Sequence, residues 1–271
     1  MPNALLARLP SRFRGQLIPL TGGLTNRCWK LITAECAYWL REGSADTHAL
    51  GINRAQELQA HQAAAKVGLA PNIHFALPEQ GILLLDWLAE PDWQQVPRDM
   101  SRLAQQVAHL HQLNADVPLL DIADQAAHYL RQLQPLPKAL ADFVPYFSQA
   151  GVNLPFQPVL CHHDINAANV MGSRPWLIDW EYAAYGDAAF ELAVISDSFG
   201  LDLCQQQMLL TAYNRATDSG GGHQVSAARF QARLPWVHWL TALWAALQYQ
   251  QTTNAEYEKM QQLALTKLKA S

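Results

Sequence analysis

Apolar and polar positions are arranged differently in the two parts of the chain. Early on, Gly22-Gly23 marks a turn, and Cys28–Ala34 and Ala37–Arg41 are short runs rich in Trp, Tyr and Ile, a strand composition. Thr33–Cys36 between them is short enough for a hairpin connection. Asn53 to Val67 carries no breaker until Gly68 and Pro71, which predicts a helix. Gly81–Leu88, GILLLDWL, is a continuous apolar run suited to a buried strand, and the polar, Pro-containing Ala89–Pro97 after it reads as a linker. Beyond it the period changes. Leu103, Val107, Leu110 and Leu113 recur at helical spacing within Arg98–Asn114. Asp202–Ala216 and Arg229–Gln251 behave alike, separated by a Ser219–Gly222 loop. One interruption stands out: Pro158–Val170 and Trp176–Trp180 hold short apolar runs (VLC, WLID) that bracket the polar stretch HHDINAAN. The expected class is α+β with two lobes. Residues 1–90 form an antiparallel sheet plus a helix, and residues 91–271 a mostly helical lobe.

Composition narrows the function. Half of the 271 residues are hydrophobic and only 15% are charged, which excludes a disordered chain. A net charge of -4 without a basic cluster disfavours nucleic acid and anionic membranes as partners, and suits a neutral or cationic small molecule. Cys28, Cys36, Cys161 and Cys204 form no CxxC pair, so reduced thiols in the cytoplasm are expected. Pro and Arg break the N-terminal stretch before a signal-peptide core develops. The apolar stretch Trp236 to Tyr249 contains His238 and falls short of the roughly 20 residues that span a bilayer. Nothing in the sequence sets the oligomeric state.

The strongest chemical signal is His162-x-Asp164 followed by Asn169, with Asp179 in LIDWE ten residues later. Phosphoryl transfer needs a carboxylate near the attacking hydroxyl and hard oxygen ligands for magnesium. Asp164 fits the first role; Asn169 and Asp179 fit the second. His162-His163 suggests no zinc site, because no Cys or third His falls at ligand spacing.

These residues resemble the HxDxxxxN and IDxE signature of the aminoglycoside phosphotransferase and choline kinase superfamily. The stretch CHHDINAANVMGSRPWLIDWEYAAYGDAAFELA is similar to its bacterial choline kinase and thiamine kinase branches. The resemblance implies a protein-kinase-like fold, ATP and Mg2+ as cofactors, and transfer of phosphate to an alcohol. It makes Asp164 the catalytic base, His162 a support for the loop, and Asn169 and Asp179 the metal ligands. It also makes Glu191 an anchor of the loop. Ala168 departs from the pattern, since many relatives have Gly there, and a local backbone adjustment is expected.

The same resemblance covers LTGGLTNRCWKL, where Gly22 and Gly23 would bring backbone N–H groups to phosphate, with Thr25 and Asn26 as added donors. An ordinary hairpin turn is the other reading of that loop. No Lys ends the Ala37–Arg41 strand; Arg41 does, in YWLRE, and is expected to clamp phosphate with Glu57 of NRAQE as its partner. Near the C-terminus, Trp236, Trp239 and Trp244 are open to two readings: core packing, or an aromatic wall for a cation. Glu181 and Asp187 are acids that would complement such a cation. His109 and His111 are expected to be ordinary helix residues, although His111 falls in an LH pair frequent in this family. The substrate implied is a small cationic alcohol: choline, ethanolamine or thiamine. An aminoglycoside or sugar kinase and a catalytically inactive nucleotide-binding protein are the alternatives.

Overall fold

The computed structural model describes residues 2–20, 26–43, 52–149, 151–220 and 224–270. Helix α1 (Pro2–Ala7) precedes strands β1 (Gln16–Leu20), β2 (Arg27–Ile32) and β3 (Ala37–Glu42); α2 (Arg54–Lys66), β4 (Ile73–Leu77) and β5 (Ile82–Asp86) follow. The strands form one antiparallel sheet in the order β1-β2-β3-β5-β4. The β2–β3 hairpin closes as the sequence suggests, with Thr33 N donating to Cys36 O at 3.0 Å.

Side chains alternate across a strand, so each strand serves two layers. Leu31, Leu40, Ile82 and Leu84 point to one face, where Leu5, Leu9 and Phe13 cover them. Cys28, Trp39, Arg41, Leu83 and Leu85 take the other face and line a cleft. Cys28 pairs with Arg41, and Arg41 with Leu83, across the sheet. The unbroken apolar run of β5 follows from this geometry: it is buried on both faces. Helix α2 starts on Asn53, whose side chain accepts from Ala55 N and Gln56 N. It ends before Gly68, whose φ of +73° suits a residue without Cβ.

The second lobe is mostly helical. It comprises α3 (Met100–Leu110), α4 (Ile122–Gln132), α5 (Lys138–Ala141), α6 (Val144–Phe147), α7 (Ala188–Phe199), α8 (Leu203–Gly220), α9 (Ala227–Thr252) and α10 (Ala255–Ala270). Two small antiparallel pairs interrupt it: β6 (Pro158–Cys161) with β9 (Ala184–Asp187), and β7 (Val170–Met171) with β8 (Trp176–Leu177). The stretch expected as a linker is anchored. Trp93 is buried there, its backbone N donating to Val170 O at 2.9 Å and its Nε1 to Gly172 O at 2.8 Å. Among the described residues no helix is long and apolar enough to cross a membrane.

Candidate active site

The loop between β6 and β7 carries Asp164 and is held from below by one buried carboxylate. Glu191, on the first turn of α7, accepts from His162 N at 2.8 Å and His163 N at 2.7 Å through Oε1. Its Oε2 meets His111 Nε2 at 2.7 Å, and His111 Nδ1 meets the Tyr213 hydroxyl at 2.8 Å. Burial alone would raise the Glu191 pKa; the His111 hydrogen bond and the nearby histidines outweigh it and bring it down to about 2. Glu191 therefore anchors the loop. His111 proves to be part of that anchor, whereas His109 is exposed on α3. The fold also brings Cys161 beside His111 and Glu191, which spacing along the chain does not reveal. The His111 nitrogens and the Glu191 oxygens of that group are already engaged by protein.

His162 is buried and donates through Nε2 to Ile178 O at 2.9 Å, while its Nδ1 accepts from Asp164 N at 3.3 Å. Burial lowers its pKa, consistent with a neutral ring that joins the loop to the Asp179 segment. Asp164 accepts from Asn166 Nδ2 at 3.0 Å and Asn169 Nδ2 at 2.8 Å. Burial, against the effect of those two bonds, pushes its pKa up to about 7. Asn166 also turns the loop by accepting from Ala168 N at 2.9 Å, a role sequence reasoning missed. Ala168 has no positive φ; the loop's left-handed residue is His163, with φ +65°.

Asp179 also has φ +65°, a conformation Asp tolerates better than most residues. Its side chain keeps a third of its surface open to the cleft, yet Oδ1 is enclosed with no hydrogen-bond partner. Enclosure, then the neighbouring Glu181, raises its pKa well above the usual carboxylate range. A divalent cation fits here, since an orphaned carboxylate oxygen crowded by acids is what such an ion relieves.

Across the cleft, Arg41 and Glu57 form a two-pronged pair, 3% and 2% exposed, with Arg41 Nη2 donating to Glu57 Oε2 at 2.8 Å. Burial would raise the Glu57 pKa, but Arg41 and then Arg54 hold it below its ordinary value. Arg41 Nη1 lies 3.8 Å from Asp179 Oδ1. Asn26 reaches the same region; Gly22, Gly23 and Thr25 lie outside the described residues.

The expected substrate residues divide. Trp236 and Trp239 are each 1% exposed and pack on Phe147, Trp239 stacked at 5.0 Å and Trp236 edge-on at 4.9 Å. They belong to the core of the helical lobe, because their i,i+3 face of α9 turns inward. Trp244, five positions on, reaches the cleft, where its Nε1 donates to the Tyr182 hydroxyl at 3.0 Å. Glu181 lines the cleft but is bound to Arg54 and Asn26 at 2.9 and 3.3 Å, so its charge is already answered. Asp187 is likewise spent, capping α7 and pairing with Arg233 at 2.7 Å. Asp164, Asn169, Asp179, Arg41, Glu57, Tyr182 and Trp244 share one cavity of about 530 Å³ between the lobes.

This two-lobed arrangement recurs in known proteins. A choline/ethanolamine kinase family protein from Mesorhizobium loti superposes with a TM-score of 0.78 at 24% identity, covering 99% of this chain and 92% of that one. The choline kinase LicA from Streptococcus pneumoniae superposes with a TM-score of 0.74 at 18% identity, covering 93% of this chain and 94% of that one. In sequence, a thiamine kinase from Salmonella paratyphi B is 29% identical over 246 residues, 79% of this chain and 81% of that protein. The family model for the phosphotransferase enzyme family matches residues 16–263. With that match over most of its length and the Asp164 loop facing the cleft, the chain belongs to the phosphotransferase enzyme family and transfers phosphate to an alcohol group.

Proposed function

We propose that the protein is an ATP- and magnesium-dependent kinase for the hydroxyl of a small cationic alcohol, with thiamine the leading acceptor and choline and ethanolamine behind it. Residues 1–90 then form the nucleotide-side lobe and residues 91–271 the catalytic and acceptor-side lobe. The observation that carries this reading is Asp164. It is a carboxylate with a pKa pushed up to about 7, braced by two amides, and it lines the same cavity as Trp244 and Tyr182. A carboxylate so raised can take the proton of an attacking hydroxyl at neutral pH. Arg41, fixed by Glu57, offers its planar cation to nucleotide phosphates. Asn169, its amide nitrogen spent on Asp164, and Asp179 would hold magnesium, which when bound neutralises charge on the phosphates. Trp244 and Tyr182 offer aromatic faces to a quaternary nitrogen, worth about 0.5–2 kcal/mol for each face. Similarity to a thiamine kinase over most of both chains supports thiamine.

An acceptor panel tests the reading. ADP release is measured with thiamine, choline, ethanolamine and an aminoglycoside. Thiamine should exceed the aminoglycoside by at least about tenfold in kcat/KM, since about 1.4 kcal/mol of differential binding suffices. An aminoglycoside turned over faster than thiamine, choline and ethanolamine alike would sink it.

A further inference from the structure

Behind the residues that line the cleft lies a second buried arginine with no part in the proposed reaction. Arg54 is the first residue of α2 and 8% exposed. Its Nη1 donates to Glu57 Oε2 and to Glu181 Oε2, both at 2.9 Å. Its Nη2 donates to Asn26 Oδ1 at 3.1 Å, and Asn26 Nδ2 in turn donates to Glu181 Oε2 at 3.3 Å. One guanidinium thus joins three separate pieces of chain: the start of β2, the start of α2, and the segment just after Asp179 in the opposite lobe.

The surroundings are built around this junction. A Cβ placed on Gly43 would come within 2.8 Å of Asn26 Oδ1 and 3.0 Å of Arg54 Nη2, so a side chain there would press on the cluster. Glu57 is shared between Arg41 and Arg54, which links the phosphate-facing arginine to the same unit. Three carboxylates of the cleft, Glu57, Asp179 and Glu181, lie within 4 Å of the two guanidinium groups. Without Arg54, Glu181 becomes a buried charge with one amide hydrogen bond and only the more distant Arg41 to answer it, a costly state. It would also repel both Asp179 and the phosphates of a nucleotide.

We propose that Arg54 is a positioning residue that fastens the two lobes through Glu181 and so holds Arg41 in its close approach to Asp179. This rests on the cleft being the phosphotransfer site. The lock acts on the nucleotide side, so its loss should be felt by the nucleotide and not by the alcohol.

The variants Arg54→Gln, Arg54→Lys, Glu181→Gln and the Arg54→Gln/Glu181→Gln pair test it. Affinity for ADP without metal is measured by calorimetry, and kcat and both KM values by ADP release. Arg54→Gln should weaken ADP binding and raise the KM for ATP by about tenfold or more, with the acceptor KM within about twofold. Adding Glu181→Gln should recover about threefold or more of that loss, because it removes the stranded charge. Arg54→Lys should fall between, since an ammonium lacks the fork that reaches three acceptors. Unchanged ADP affinity in Arg54→Gln overturns the proposal, as do two substitutions whose effects simply multiply. If Arg54→Gln does not fold, wild-type ADP affinity in Arg54→Lys overturns it equally. A wild-type protein that binds ADP yet phosphorylates no alcohol would refute the kinase reading, while the ADP affinities would still decide the role of Arg54.

Discussion

Replacing Glu191 by Gln keeps the shape of the side chain and removes the charge that holds the Asp164 loop. The carboxylate accepts from two successive backbone N–H groups, at 2.8 and 2.7 Å, and meets His111 at 2.7 Å. Its pKa falls from the ordinary 4.5 to about 2 in the folded protein. At about 1.4 kcal/mol for each factor of ten, the ionised group contributes about 3 kcal/mol to stability at neutral pH. Because the folded value lies below the unfolded one, that contribution is complete above pH 4.5 and is lost as the pH falls from 4.5 toward 2. Urea denaturation of wild type and variant at neutral pH and at pH near 3 measures the difference. The variant should be less stable by about 3 kcal/mol at neutral pH, with the gap narrowing in acid. Its kcat should fall more than either KM, since the loop is displaced and no ligand contact is removed. A gap that stays constant down to pH near 3, or no gap at all, would refute the reasoning.

Further substitutions probe the rest of the site. Asp164→Asn should leave melting temperature and ADP affinity near wild type while kcat drops by roughly 10²–10⁴, the range for a lost general base; near-normal turnover removes Asp164 from that role. Arg41→Lys should raise the KM for ATP by about tenfold or more, because one ammonium cannot keep both bonds to Glu57 and face phosphate; an unchanged KM places Arg41 outside the nucleotide site. Trp236→Ala should cost about 3–5 kcal/mol in stability, as for other buried aromatics. Trp244→Leu should instead reduce the preference for choline over its neutral isostere 3,3-dimethylbutanol by about threefold or more. Swapped outcomes for these two tryptophans would reverse their assignment.

Much of this arrangement is legible in the sequence because its parts are local. The polar loop between two apolar runs sets Asp164 and Asn169 a fixed distance apart, and period-2 alternation in β3 puts Arg41 on the cleft face. Glu57 follows from one helical turn after the Asn53 cap. What escaped depends on contacts distant along the chain. Arg54 carries no signal of its own along the chain; its role shows only when α2 is packed against the Glu181 segment, 127 residues away. Tyr182 gains its meaning only from Trp244, and His111 from Glu191, 80 residues on. The three tryptophans of α9 could not be divided by spacing, because the helix is buried on much of its circumference and its inward face shows only in the fold. Strand β4 escaped for another reason: a register shift between Ile73 and Phe75 breaks its alternation.

The most direct test of the central claim is phosphorus NMR of the wild-type protein incubated with ATP, magnesium and thiamine. A phosphate monoester of thiamine and ADP should appear in equal amounts, depend on magnesium, and form at least about a hundredfold more slowly in Asp164→Asn. ADP accompanied only by free phosphate, whichever cationic alcohol is supplied, would contradict the account.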